Sequence, residues 1–123
     1  MLELAGNDSL IQEQDTKYGV LNFLEKKVTL FYSAGFYNEV FSIIDKTIDL
    51  IPNGEKRIPL QISAEIHILR AIELKTEITN KKELKKRIFP FCSIALEKYN
   101  SMLELDPNDS DALKGKKYVQ TLL

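Results

Sequence analysis

The sequence predicts an all-α fold, a short array of antiparallel helical hairpins with a C-terminal capping helix. Three observations lead to this fold. Apolar residues recur at helical spacing along most of the chain. Two of the apolar stretches end in a proline stop, at Pro52 and at Pro107. The connections between the predicted helices are short, which favours antiparallel packing of consecutive helices.

Gly35 and Pro52 delimit the first predicted hairpin. Its first helix is expected to begin near Leu10, because Ser9 and Gln12 have the spacing of a capping box. Gly35 suits the left-handed position that closes many helices, and Pro52 cannot continue the hydrogen-bond ladder of the second helix. Each helix is expected to bury one apolar face, formed by Leu21, Leu24, Val28 and Phe31 in the first and by Val40, Ile44, Ile48 and Ile51 in the second.

The stretch from Leu60 to Ile68 alternates in polarity as a strand does, but its context predicts a helix. The apolar pattern continues to Ile78 without a turn signal, which is too long for a strand. Pro59 is expected to be its first helical residue. Two apolar faces predict a helix that is covered on both sides, at the centre of a stack. These faces are Leu60, Ala64, Ile68, Ala71 and Ile78 on one side and Ile62, Ile66, Leu69 and Ile72 on the other.

The last third of the chain predicts a long helix and a capping helix. The helical period continues across Pro90, so this proline either kinks one long helix or begins a new one, and the unbroken period favours the kink. Asp109 or Ser110 can cap the final helix. Ala112 and Gly115 would allow a close approach to the preceding hairpin. The solvated outer face of the capping helix is expected to carry Lys114, Lys116 and Lys117.

The chain is expected to form one domain, since 123 residues can build a single modest core. Its one cysteine, Cys92, cannot form an internal disulfide, which fits a cytoplasmic setting. No apolar run approaches the ~18 residues that span a bilayer, and the acidic, polar N-terminus is unlike a signal peptide. The predicted order is a loose N-terminus at 1–8, a first hairpin at 9–54, an extended second hairpin at 59–108 and a capping helix at 110–122.

Residues that could carry catalysis or bind a metal are sparse. One His67 and one Cys92 are too few for a zinc site, and neither a Ser-His-Asp nor a Cys-His constellation can be assembled. Cys92 follows Phe-Pro-Phe and is expected to be a small core residue. His67 is expected to be an ordinary surface or hydrogen-bonded histidine. We therefore expect neither an enzyme nor a bound cofactor.

A basic run is the strongest charge feature of a chain whose net charge is only −1. Basic residues at a helix N-terminus oppose the macrodipole, which hints at an anionic partner. A plain solvated face is the preferred interpretation, and nucleic-acid binding is not expected because aromatic residues do not interleave with the run. An aromatic cluster earlier in the chain is expected to pack within the first hairpin. The basic run is Lys81, Lys82, Lys85, Lys86 and Arg87, and the cluster is Phe31, Tyr32, Phe36, Tyr37 and Phe41.

The two proline-terminated helices can be aligned with each other, which is typical of repeat architectures. The alignment pairs Val40 with Ala95, Ile44 with Tyr99, Thr47 with Met102, Leu50 with Leu105 and Pro52 with Pro107. The turn at Tyr32–Val40 and the exit Leu-Glu-Leu-Asp-Pro-Asn at Leu103–Asn108 resemble those of the tetratricopeptide repeat (TPR), and Ala112-Leu-Lys-Gly115 resembles the start of a following repeat. This resemblance implies a right-handed α-α superhelix.

The chain also departs from the pattern of that family. Lys27 and Val28 stand where the family usually has Leu and Gly, and Val40 and Thr47 replace small alanines. The two prolines are roughly twenty residues further apart than the family's period of about 34 residues. The sequence therefore predicts a divergent array with one recognisable unit, one extended unit and a capping helix.

The resemblance implies a non-enzymatic scaffold or adaptor that binds a peptide or helix of another protein in a groove lined by the first helices. A clamp for acidic chaperone tails is not expected, since Glu25 and Thr29 occupy positions where that subclass has lysine and asparagine. The alternative is a self-associating structural subunit of a helical oligomer or larger complex. The expected groove residues are Asn22, Glu25, Thr29 and Tyr32 in the first unit and His67, Arg70 and Glu77 in the second.

Overall fold

A computed structural model of the chain describes residues 26–123, and every regular element within them is helical. The all-α prediction is therefore confirmed, and the stretch from Leu60 to Ile68 is helix rather than strand. The predictions for the loose N-terminus, for the Leu10 helix start and for Asn22 and Glu25 lie outside the described residues. The helices are α1, described over 26–33, α2 at Tyr37–Leu50, α3 at Arg57–Glu77, α4 at Lys81–Leu105 and α5 at Ser110–Leu122, with a short 3-10 helix at Asn53–Glu55.

The chain divides into two compact units, Met1–Ile43 and Ile44–Leu123. In the second unit α3 packs against α4, and α4 packs against α5. The core of this unit is apolar and comes from all of its helices. Its fully buried or nearly buried members include Ile44, Leu60, Ala64, Ala71, Leu74, Ile88, Cys92, Ala95, Tyr99, Met102, Ala112 and Val119.

α1 is closed by Gly35, which adopts the left-handed conformation that the sequence predicts for this glycine. Gly35 has a φ of 88°, in the left-handed region, and its N–H donates to the carbonyl of Tyr32 over 3.0 Å. The N–H of Phe36 donates to the carbonyl of Phe31, also over 3.0 Å, which completes a Schellman motif. The rings of Phe31 and Phe36 meet edge to face, and those of Tyr32 and Tyr37 do the same. The aromatic cluster thus packs around the turn, as expected for these four residues.

Both predicted proline stops are confirmed. α2 ends at Leu50, two residues before Pro52, and α4 ends at Leu105, two residues before Pro107. Asp106 is extended (φ −150°, ψ 104°), which is the conformation that a following proline favours. Pro90, by contrast, lies inside α4, which continues through it as one helix.

α3 begins earlier than the sequence predicts. The helix starts at Arg57, so Pro59 is its third residue rather than its first. The first four N–H groups of a helix have no intrahelical acceptor, so a proline in this turn removes no hydrogen bond. The 3-10 helix at Asn53–Glu55 precedes α3 and follows the stop at Pro52.

α4 and α5 begin at side-chain caps. Asn80 Oδ1 accepts a hydrogen bond from the N–H of Glu83 over 2.9 Å at the start of α4. Asp109 caps α5 and accepts from the N–H groups of Asp111 (3.1 Å) and Ala112 (3.2 Å). Of the two candidate caps in the sequence, Asp109 therefore serves and Ser110 does not.

Small residues on α5 allow the close approach that the sequence predicts. Ala112 is fully buried, and the backbone of Gly115 lies directly against the ring of Tyr99 on α4. A Cβ atom at position 115 would overlap two atoms of that ring and its hydroxyl oxygen. Burial also raises the pKa of Tyr99 to about 12. The contact between α4 and α5 thus depends on a glycine at this position.

Candidate protein-interaction surface

One face of α3 is apolar without being part of the core. At 3.6 residues per turn its buried residues, such as Ala64 and Ala71, lie opposite a second line of aliphatic side chains. On this line Ile58 is 44% and Leu69 is 40% exposed, and the other members are half-buried. The prediction that α3 is covered on both sides is therefore wrong at Leu69. We call the line Ile58, Ile62, Ile66, Leu69 and Ile72 the outer stripe.

A ladder of polar side chains borders the outer stripe on one side. Arg57 Nη1 donates to Gln61 Oε1 over 3.1 Å, and Gln61 Nε2 donates to Glu65 Oε2 over 3.1 Å. These residues are four apart, so they stand one turn above another along α3. The ladder holds their side chains along the helix and leaves the stripe beside them open.

A charged group borders the stripe on the other side, toward the C-terminal end of α3. Arg70 Nη1 lies 3.2 Å from Glu73 Oε1 and 3.5 Å from Glu77 Oε2. The Arg70 side chain is only 15% exposed, whereas that of Glu77 is 55% exposed. Two carboxylates meet one guanidinium there, and Glu65 is an exposed carboxylate on the opposite border. The rim of the outer stripe is therefore polar, and acidic near Arg70.

A charged clamp connects the start of α3 to the start of α5. Arg57 Nε and Nη2 donate to the two carboxylate oxygens of Asp109 over 2.7 and 3.0 Å, and Nη2 also reaches Asp111 over 2.8 Å. The hydrogen bonds from Arg57 lower the pKa of the buried Asp109 carboxyl, and those to Asp109 raise the pKa of Arg57. Bidentate geometry fixes direction as well as distance. The clamp therefore sets the position of the first turn of α3, where the outer stripe begins.

The residues predicted to line a groove are only partly brought together. Thr29 is exposed on α1 and belongs to the first unit, but Tyr32 is 9% exposed and packs on Tyr37. Arg70 and Glu77 lie together on the rim of the outer stripe. Tyr32 therefore offers little surface to a partner.

The placement of His67 in a groove is wrong in this structure. The side chain is 3% exposed, and its Nδ1–H donates to the carbonyl oxygen of Ser63 over 2.7 Å. Desolvation lowers the pKa of His67, so the ring is neutral near pH 7. The expectation of a hydrogen-bonded histidine is confirmed, but its ring faces Phe91 of α4, with 6.2 Å between the ring centroids. The position belongs to the buried face of α3.

The remaining reactive side chain is also interior. Cys92 is fully buried, and desolvation raises the pKa of its thiol. The prediction of a small core residue is therefore confirmed. Over the described residues 26–123, no group of three His, Cys, Asp or Glu side chains is placed to hold a metal ion. No helix in this part of the chain has the length and apolar character needed to cross a membrane.

Two features of this surface, the clamp and the exposure of the outer stripe, were not predicted from the sequence. The clamp joins Arg57 to Asp109 across 52 positions, and no local pattern marks a pair so far apart. The exposure of the stripe was missed for a different reason: periodicity shows which residues share a face, but not what covers that face. The burial of His67, by contrast, could have been predicted, since His67 shares the helical phase of Ala64 and Ala71 on the apolar face of α3.

Comparison with protein-family models, with curated proteins and with solved structures finds no match to this chain.

Proposed function

We propose that this chain is a non-enzymatic protein-interaction module that binds the apolar side of a helix or peptide from a partner protein. The outer stripe of α3 is the observation that carries the proposal. An apolar centre with a polar rim is the usual anatomy of a protein interface. Aliphatic residues spaced three and four apart on a helix suit a partner helix that packs alongside.

The rigidity of the stripe supports the same function. α3 is 21 residues long, it packs against α4, and its first turn is clamped to α5 through Arg57 and Asp109. A surface that is already ordered loses little conformational entropy when a partner binds. The proposal is therefore a preformed docking face rather than a segment that folds on binding.

We further propose that the module is a divergent TPR-like array, a right-handed superhelix of helical hairpins, that acts as a scaffold or adaptor in the cytoplasm. At four of the five paired positions the two residues are either both buried or both exposed, which supports a repeat; the exception is half-buried Thr47 with fully buried Met102. Val40 and Ala95 are both fully buried, whereas Leu50 and Leu105 are both exposed. The single free thiol, buried at Cys92, supports a reducing compartment.

Site-specific photocrosslinking tests the docking face. A photoreactive phenylalanine analogue replaces Leu69 in the stripe, or Leu105 at the end of α4 as the matched control, since these leucines are 40% and 41% exposed. We expect a partner to be crosslinked in cells from position 69 and not from position 105. Leu69→Glu should then weaken binding of that purified partner at least tenfold, as loss of an interface anchor does. Equal crosslinking from both positions would contradict the proposal.

The same exposed stripe could instead pair with a second copy of the chain, which is the alternative function. Light scattering after size-exclusion chromatography separates the two functions. A monomer supports binding to a different protein. A stable dimer that Leu69→Glu dissociates and Leu105→Glu leaves intact would replace the module with a self-associating subunit.

A further inference from the structure

The first half of α4 carries a cluster of exposed cations. Lys81, Lys82, Lys85, Lys86 and Arg87 are all exposed. None of the five makes an ion pair with another residue of the described range 26–123. Glu83 is the one carboxylate among residues 81–87. This end of the helix therefore projects a local positive field, even though the net charge of the chain is −1.

The cluster works against the local stability of α4. Cations at the N-terminal end of a helix face the positive end of its macrodipole. Lys81 and Lys85 are four residues apart, as are Lys82 and Lys86, so both pairs place like charges on neighbouring turns. The cluster is therefore exposed, locally unfavourable and not neutralised by any side chain of residues 26–123.

An exposed aromatic side chain lies among these cations. Phe89 is 59% exposed and follows Lys82, Lys85 and Lys86 by seven, four and three residues. The four side chains therefore lie along one edge of α4. The adjoining side of the helix buries Ile88 and Cys92 in the core. We call Lys82, Lys85, Lys86 and Phe89 the basic edge.

An anionic membrane surface fits the basic edge better than an acidic peptide or a nucleic acid does. Four of the five cations are lysines, which act as hydrated point charges, whereas specific carboxylate or phosphate recognition favours the bidentate arginine fork. A single aromatic residue gives no series of stacking platforms for bases. Lysines that stay at the headgroups while one apolar side chain enters the acyl boundary match a planar bilayer.

We propose that the basic edge docks the protein on membranes that contain anionic phospholipids, with Phe89 inserted at the boundary between the headgroups and the acyl chains. The attraction is local, because screening at about 0.1 M salt confines it to roughly 10 Å. The negative net charge of the whole chain therefore does not prevent it. This proposal uses α4 and does not depend on the function proposed for the outer stripe of α3.

Vesicle co-sedimentation of the full chain tests the proposal. We expect binding to phosphatidylcholine vesicles that contain phosphatidylserine, weaker binding as salt rises, and no binding to phosphatidylcholine alone. Each lysine near an anionic surface strengthens partitioning about fivefold, so changing Lys82, Lys85 and Lys86 to Gln should weaken it on the order of a hundredfold. Equal binding to both kinds of vesicle would overturn the proposal.

A second triple variant controls for net charge. Changing Lys114, Lys116 and Lys117 of α5 to Gln removes the same charge from another surface and should alter partitioning only slightly. If both triples weakened binding equally, the basic edge would not be the docking site. Circular dichroism checks that each variant keeps its helix content.

Substitution of Phe89 distinguishes binding to an anionic bilayer from binding to a soluble polyanion. Phe89→Ser should weaken vesicle binding about fivefold through lost apolar burial, whereas Leu105→Ser, at the far end of the same helix, should not. The same proteins are titrated with a single-stranded oligonucleotide and with polyglutamate. Tighter binding to either polymer than to the anionic vesicles, with no effect of Phe89→Ser, would replace the membrane with that polyanion.

Discussion

A buried hydroxyl is the least satisfied group in the interior of the second unit. Ser63 is fully buried on α3, and within residues 26–123 its Oγ is the buried side-chain polar atom without a hydrogen-bond partner. Its backbone carbonyl is occupied by His67 Nδ1, so the residue contributes through its main chain and not through its side chain. Burying an unpaired hydroxyl costs about 1–3 kcal/mol.

Ser63→Ala is therefore expected to stabilise the protein. Removal of the unpaired hydroxyl and the higher helix propensity of alanine should together raise the free energy of unfolding by about 1–2 kcal/mol. Ser93→Ala is the matched control, because Ser93 is exposed on α4 and its replacement changes helix propensity alone. Urea denaturation measures both variants. A loss of stability in Ser63→Ala would mean that the hydroxyl has a partner in solution.

At the scale of helices, the clamp between Arg57 and Asp109 couples the beginnings of two elements that are far apart in sequence. Asp109 both caps α5 and accepts two hydrogen bonds from Arg57 of α3. Its side chain is 3% exposed, while that of Arg57 is 41% exposed. Because solvent screens the charge of Arg57, the ion pair contributes less to the free energy of unfolding than an unscreened pair would. Its main effect is to fix the relative position of the two helix starts.

The clamp predicts a pH dependence of stability. The pKa of Asp109 is lower in the folded protein than in the unfolded chain, where it is about 3.9. Its contribution is therefore complete above about pH 4 and is lost as the pH falls through the lowered folded value. Asp109→Asn keeps a capping side chain but removes the charge, and it should cost about 1–2 kcal/mol at pH 7.

Denaturation at several pH values measures this difference. The gap between wild type and Asp109→Asn should narrow in acid. Asp111→Asn serves as the control, because Asp111 bonds to the same Arg57 but its side chain is 54% exposed, and it should cost well under 1 kcal/mol. A gap for Asp109→Asn that is unchanged below pH 4 would show that the charge of Asp109 does not stabilise the fold.

At the scale of the whole chain, helix boundaries were the most predictable feature because local chemistry sets them. Gly35 closes α1, Pro52 and Pro107 follow the ends of α2 and α4, and Asp109 caps α5. Each of these effects acts within a few residues. The start of α3 was less predictable, since a proline is tolerated at any position of the first turn.

The candidate surface was less predictable than the fold, because it depends on tertiary packing. The sequence identified Ile62, Ile66, Leu69 and Ile72 of the outer stripe as an apolar face of α3, but it did not predict that Ile58 joins this face or that Leu69 is exposed. It placed Arg70 and Glu77 at a binding surface, which stays a prediction, and His67 beside them, which its burial contradicts. The family resemblance implies a groove position for His67, whereas its helical phase, shared with Ala64 and Ala71, places it on the buried face of α3.

The central claim is that α3 has one face for the core and one face for a partner. Urea denaturation of Ile68→Glu and Leu69→Glu tests it with neighbouring residues that are 8% and 40% exposed. We expect Ile68→Glu to lower the free energy of unfolding by about 3 kcal/mol or more, through lost burial and a buried charge. Leu69→Glu should stay within about 1 kcal/mol of wild type. A loss at Leu69 as large as that at Ile68 would place the outer stripe in the core and contradict the account.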